Sequence, residues 1–195
     1  MSKRITPSPP KLLHAVLGHV RLWMYKTFIT IPKAVPIKLC DEMVKESPDY
    51  SEQLAGVMWK KEADLKKDRN SKIKWYPLEH WIVPKLCEVA SQINKQDYGF
   101  DDVTNLQCPQ FTEYTKGQHY QWHRDIYPPE MDGPYPGLIR KLSMIVQLSN
   151  FEDYKGGILQ IKNMDGKIEP IEGFKDKGDM IIFPSFYLHR IKAVT

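Results

Sequence analysis

The chain has 195 residues, 42% of them hydrophobic and 27% charged, with a formal net charge of +4. That is the size and balance of one globular domain. No apolar run approaches the ~20 residues of a membrane span, and the basic start MSKRITPSPPKLLHAV is not followed by the apolar core and small-residue cleavage site of a secretory signal.

Residues 1–11 contain three prolines and no acid, which predicts a loose arm over about residues 1–20. Phe28–Ile31 alternates like a short strand. Ile37–Glu46 reads as a helix with Ile37, Cys40 and Val44 on its apolar stripe, Pro36 near its start and Ser47-Pro48 as its stop. Residues 56–75 carry seven Lys or Arg against three acids, which alone equals the excess of the whole chain. Without interleaved aromatic residues, that window reads as a solvated loop or helix face, and nucleic acid is not expected as a partner. A second helix spans Leu78–Ile93, with Trp81, Ile82, Leu86, Val89, Ala90 and Ile93 at helical spacing. The three cysteines, Cys40, Cys87 and Cys108, are odd in number and have no CxxC spacing. They argue against a disulfide framework or structural zinc and suggest reduced, mostly buried thiols in a cytoplasmic protein.

From Leu106 onward the apolar runs become short and β-rich, bounded by Gly, Pro or Asn. They are Gln110–Tyr114, Leu142–Leu148, Ile158–Ile161, Lys167–Ile171 and Met180–Phe183. Such spacing predicts a sandwich or barrel, with a helical N-terminal half packed on it. In the strand from Arg140 to Ser149, Leu142, Met144, Val146 and Leu148 share a wholly apolar face, suited to packing under the helices. Ser143, Ile145, Gln147 and Ser149 share a mixed face that suits a wet cavity.

The stretch GQHYQWHRDIY, Gly117–Tyr127, carries the chemistry. His123-Arg124-Asp125 has the letters of a kinase catalytic loop, but such a loop needs Asn five residues after its Asp, and position 130 is Glu. A Gly-rich loop, a strand lysine and a DFG are also missing. As a metal site the triplet makes sense. On a strand, His123 and Asp125 point the same way and Arg124 points away. His189, 64 positions beyond Asp125, follows a β-strand that a sandwich brings alongside. Two histidines and one carboxylate leave positions open and suit non-haem Fe(II) oxygen chemistry.

These motifs resemble the 2-oxoglutarate/Fe(II)-dependent dioxygenases of the prolyl 4-hydroxylase-like branch. The resemblance rests on YTKGQHYQWHRD, RKLSMIVQLSN, YKGGILQI and KGDMIIFPSFYLHRI, with a weaker echo in RNS at Arg69–Ser71. It implies a mainly β fold with flanking helices (α+β): a double-stranded β-helix, or jelly roll, over about residues 105–195, braced by a helix-rich region over about 28–100, within one domain. It implies Fe(II) on His123, Asp125 and His189, with 2-oxoglutarate and O2 as cosubstrates and ascorbate as a possible accessory. Tyr114, Gln147 and Ile191 match cosubstrate contacts, and Arg140 lies where it reaches a substrate. Tyr120, Trp122 and Trp81 read as packing residues and His119 as a surface histidine.

In relatives an Arg or Lys several residues past the distal histidine pairs with the far carboxylate of 2-oxoglutarate. Thr195 is six residues past His189, so the sequence reading expects a truncated chain that lacks the last strand. Lys141, Arg190 or Lys192 is the alternative anchor, and a non-catalytic metal-binding or scaffold jelly roll is the rival class. The implied reaction is hydroxylation of an unactivated C–H. The substrate is a peptidyl proline or another protein side chain, with a free amino acid or small metabolite as the alternative and no membrane partner.

Overall fold

The computed structural model describes residues 26–47, 53–54, 66–101, 103, 106–126 and 137–195. The expected N-terminal arm and the first part of the basic window, 56–65, lie outside the described residues.

The most apolar run of the chain, Met180–Pro184, forms strand β10, buried along its whole length. A strand covered on both faces has no reason to alternate, and here two sequence-distant strands flank it. β1 (Ile29–Ile31) pairs with it antiparallel, Ile29 opposite Ile182. β7 (Leu142–Val146) pairs on the other side, Ile182 opposite Met144.

The outer face of this sheet carries Ile29, Ile31, Met144, Val146, Met180 and Ile182. It is roofed by α1 (Ile37–Glu46) and α2 (Ile82–Ile93). The α1 bounds match the expectation, but its buried stripe is Cys40 and Met43, while Ile37 and Val44 are exposed. Met43, not named in the predicted stripe, lies on the buried side of the helix. α2 starts four residues later than expected, after a turn at 78–81, with Pro84 inside its first turn where the missing N–H costs nothing. It runs on as a π-turn, Asn94–Tyr98, ended by Gly99 in the left-handed region. The Tyr98 hydroxyl donates to the Ile182 carbonyl at 3.1 Å, tying the helical layer to the central strand.

The second sheet has the order β3 (Arg69–Asn70), β6 (His119–His123), β11 (His189–Ile191), β8 (Leu159–Lys162), β9 (Ile168–Glu169). Leu159 and Ile161 meet Ile145, Ile181 and Phe183 between the two sheets, which gives the jelly-roll core. A third sheet joins β2 (Gln53–Leu54), β4 (Lys72–Trp75) and β5 (Gln110–Glu113). The N-terminal half is therefore not purely helical. The basic window supplies β3 and β4, and its Arg69 is turned inward, with 9% of its surface exposed. Of the three free thiols only Cys40 is buried.

Two further features position the site. Residues 193–195 run between the loops ahead of β6 and β8, where Gly117 N–H donates to Val194 O at 2.8 Å and Thr195 N–H to Lys155 O at 2.8 Å. The Asp179 carboxylate accepts backbone N–H groups of Lys33, Lys175 and Asp176 at 2.8–3.0 Å. Burial works against its charge, yet those donors hold it below the usual carboxylate range.

Candidate metal centre

β11 lies antiparallel between β8 and β6, and His189 sits directly opposite His123. The register then slips. Ile191 is opposite Tyr120, so two steps on β11 match three on β6, a β-bulge. β6 ends at His123, and Asp125 lies beyond it in a bend, so strand alternation is not what aims the carboxylate. A backbone bond from Asp125 N–H to Ser185 O, 2.9 Å, turns the chain instead. Arg124 points away, as expected, donating to Phe186 O at 2.8 Å.

One ligand atom from each of His123, Asp125 and His189 falls within 4.8 Å of the others. His123 Nε2 is 3.6 Å from Asp125 Oδ1, and His189 Nε2 is 3.4 Å from Asp125 Oδ2. Each imidazole spends its other nitrogen on a backbone carbonyl. His123 Nδ1–H donates to Gln121 O at 2.7 Å and His189 Nδ1–H to Tyr187 O at 3.0 Å. Those bonds select the tautomer whose Nε2 lone pair faces the common point. Burial, with His189 beside it, pushes His123 down to about 4, so the ring is neutral and free to coordinate at physiological pH. A hard carboxylate with two imidazoles is the donor set of a non-haem Fe(II) centre.

The carboxylate is held as firmly. Ser143 Oγ–H donates to Asp125 Oδ2 at 2.6 Å and lies 2.9 Å from Ser185 Oγ. Ser143→Ala is expected to weaken Fe(II) binding by about 10-fold or more, as loss of a group that orients a ligand does. Metal titration of the variant checks this, with unchanged affinity as the contrary result. Ser143 belongs to the mixed face read from the sequence, so its inward direction was legible. Its bond to Asp125 was not, because the two are 18 residues apart.

Arg140 donates to Asp125 O at 3.2 Å, at the edge of the site. Tyr114 is within hydrogen-bonding reach of Arg69 and Ser71. Burial raises its pKa above the ordinary tyrosine value, against the pull of those two donors. Gln147 Nε2–H donates to the Tyr154 hydroxyl. Ile191 packs in the apolar cluster with Leu159 and Phe183. Lys141 is exposed, and its carbonyl accepts Ser185 N–H at 3.0 Å. Trp122 packs between cations, 4.6 Å from Lys162 Nζ and 4.6 Å from Arg190 Cζ. His119 is half-buried beside the Lys67 carbonyl.

Sequence reasoning missed Arg69. Its Nε–H donates to Ser71 Oγ at 3.1 Å and its Nη2–H to Gln110 Oε1 at 2.6 Å. The only sequence signal was the short RNS echo.

Fold and donor set together define a jelly roll with a candidate metal centre of the two-histidine, one-carboxylate class. Residues 109–195 match the model of the 2OG-Fe(II) oxygenase superfamily. A PKHD-type hydroxylase from Herminiimonas arsenicoxydans is 36% identical over 87 residues, 45% of this chain and 37% of that protein. Another from Prochlorococcus marinus is 32% identical over 135 residues, 69% of this chain and 54% of that protein. The chain thus spans 37% of the length of the first and 54% of the second. Among solved structures, a Pseudomonas putida prolyl-4-hydroxylase superposes with a TM-score of 0.62 at 18% identity, covering 93% of this chain and 92% of that one. A Trichoplax adhaerens prolyl hydroxylase, solved with a hypoxia inducible factor peptide fragment, has a TM-score of 0.59 at 15% identity, covering 97% and 89%. Those likenesses establish the prolyl 4-hydroxylase-like jelly roll as the fold. Among the described residues, no helix is long and apolar enough to cross a membrane.

Proposed function

We propose that this chain is a cytoplasmic 2-oxoglutarate- and Fe(II)-dependent dioxygenase that hydroxylates an unactivated C–H of a peptidyl proline or another protein side chain. The observation that carries the reading is the convergence of His123, Asp125 and His189, with both imidazoles presenting Nε2 and a carboxylate oriented by Ser143. These three residues would hold the iron. When bound, the iron supplies oxygen activation: one atom of O2 enters the substrate as hydroxyl, the other enters succinate, and 2-oxoglutarate loses CO2.

The chain's own residues supply binding and orientation. Tyr114, Gln147, Ile191 and Lys141 are assigned to the cosubstrate, and Arg140, at the edge of the centre, to the substrate. Ile126, Leu138 and Ile139 are exposed apolar residues that flank Asp125 and Arg140 in sequence, a rim suited to an apolar segment of a polypeptide. The peptide held by the Trichoplax structure supports the same substrate class.

Succinate formation from 2-oxoglutarate, dependent on added Fe(II), tests the proposal. Parent protein is expected to turn over, and His123→Ala and Asp125→Ala to fall to background. Equal turnover in variants and parent would remove these residues from the centre. No turnover in a parent that binds Fe(II) would favour a non-catalytic metal-binding role.

A further inference from the structure

Tyr120 is the residue whose surroundings depart furthest from its sequence reading as packing. Its ring lies nearly parallel to the His123 imidazole, with centroids 3.4 Å apart and planes 13° from each other. The guanidinium carbon of Arg69 is 4.5 Å from the Tyr120 ring centroid. Arg69 is in turn fixed by Ser71 and Gln110 and stands on β3 directly opposite Tyr120. A chain of contacts therefore runs from β3 through Tyr120 to a metal ligand.

An imidazole bound through Nε2 keeps one soft motion, rotation about its Cβ–Cγ bond. The Nδ1–H bond to Gln121 O opposes that rotation at one edge of the ring. A flat aromatic surface in face contact opposes it over the whole ring. His189 differs. Its ring meets Phe183 edge-on, at 4.8 Å and 63°, and meets His123 at 4.1 Å and 57°. Only His123 has a stacked partner among the described residues.

We infer that Tyr120 is a positioning residue for the metal centre: its ring, clamped by Arg69, sets the plane of His123 and so the direction of its Nε2 lone pair. The inference rests on the metal-centre reading above. It predicts that the flat ring matters and the hydroxyl does not.

The test uses Co(II) as a spectroscopic probe of the full chain, with no turnover required. Tyr120→Phe should bind Co(II) within about 2-fold of the parent and give the same visible absorption envelope. Tyr120→Leu should bind about 10-fold or more weakly, the usual effect of removing a group that orients a ligand. In proton NMR of the Co(II) form, the shifted Nδ1–H signal of His123 should move in Tyr120→Leu while that of His189 stays. Should Tyr120→Leu not fold, Tyr120→Met keeps side-chain bulk without the flat ring and carries the same expectation. Parent-like affinity and unmoved His123 signal in the folded ring-less variant overturn the inference alone. Failure of the parent to bind Co(II), with Asp125→Ala as the blank, overturns the metal-centre reading and the inference together.

Discussion

His189→Ala is expected to cost the protein its metal, with Fe(II) or Co(II) affinity falling by about 100-fold or more and 2-oxoglutarate turnover falling to background. Three donors are the minimum that fixes a facial set, and the two left, His123 and Asp125, are near neighbours on one stretch of chain that cannot enclose an ion. His189 also contributes packing. It is 4% exposed, in contact with the Phe183 ring and opposite Ile161 on β8. The variant should therefore lose stability as well, by roughly 1–3 kcal/mol, the range for creating a partly collapsible cavity. Calorimetric titration separates the two effects, because a variant that remains folded at the titration temperature reports metal affinity alone. Retention of parent-like affinity would move the third ligand to another residue.

The largest effect on stability is expected at Gly178. Its φ is +93°, and a Cβ placed there would lie 2.3 Å from the Val35 carbonyl oxygen, a backbone atom that cannot swing aside. The position is also crossed by two backbone hydrogen bonds: Gly178 N–H to Gln147 O at 2.8 Å, and Val35 N–H to Gly178 O at 2.9 Å. Relief of the clash by backbone movement must loosen the junction where the segment entering α1 crosses the turn that leads into β10, beside the end of β7. Gly178→Ala should cost about 3 kcal/mol or more, the sum of a left-handed penalty of ~1–2 kcal/mol and the disturbed junction. Gly166 is the internal control. Its φ is +76° but nothing lies within 4 Å of its Cβ position, so Gly166→Ala should cost only ~1 kcal/mol. Urea midpoints of the two variants decide the matter, and equal shifts would mean that the Val35 contact carries no weight.

The two-histidine, one-carboxylate pattern was readable because its chemistry needs particular side chains and short spacing, and because β-rich texture around His189 implied a sandwich that returns to His123. The mixed face of the strand from Arg140 was readable from alternation alone, and Ser143 on that face proved to orient Asp125. What the sequence hid depends on long-range pairing. Arg69 sits in a window whose seven cations looked like a solvated surface, and only its pairing with β6 turns it inward. β3 and β4 are too short to stand out by periodicity. Asp125 does converge with the two histidines, but a bend and the Ser185 carbonyl aim it rather than strand alternation.

The bulge in β6 has a consequence for how this centre tolerates change in chain length. On an even strand, residues three apart face opposite sides, so Tyr120 and His123 would be separated by the sheet. The extra residue on β6 brings both to the interior, the aromatic plane against the ligand. Spacing is thus as much a part of the centre as residue type. Removal of Gln121 or Trp122 would take the bulge out and leave Tyr120 and His123 two apart on an even strand, on one face and still opposite Ile191 and His189. Such a deletion is expected to keep the pair together, whereas even pleating at the present spacing would turn one of them outward.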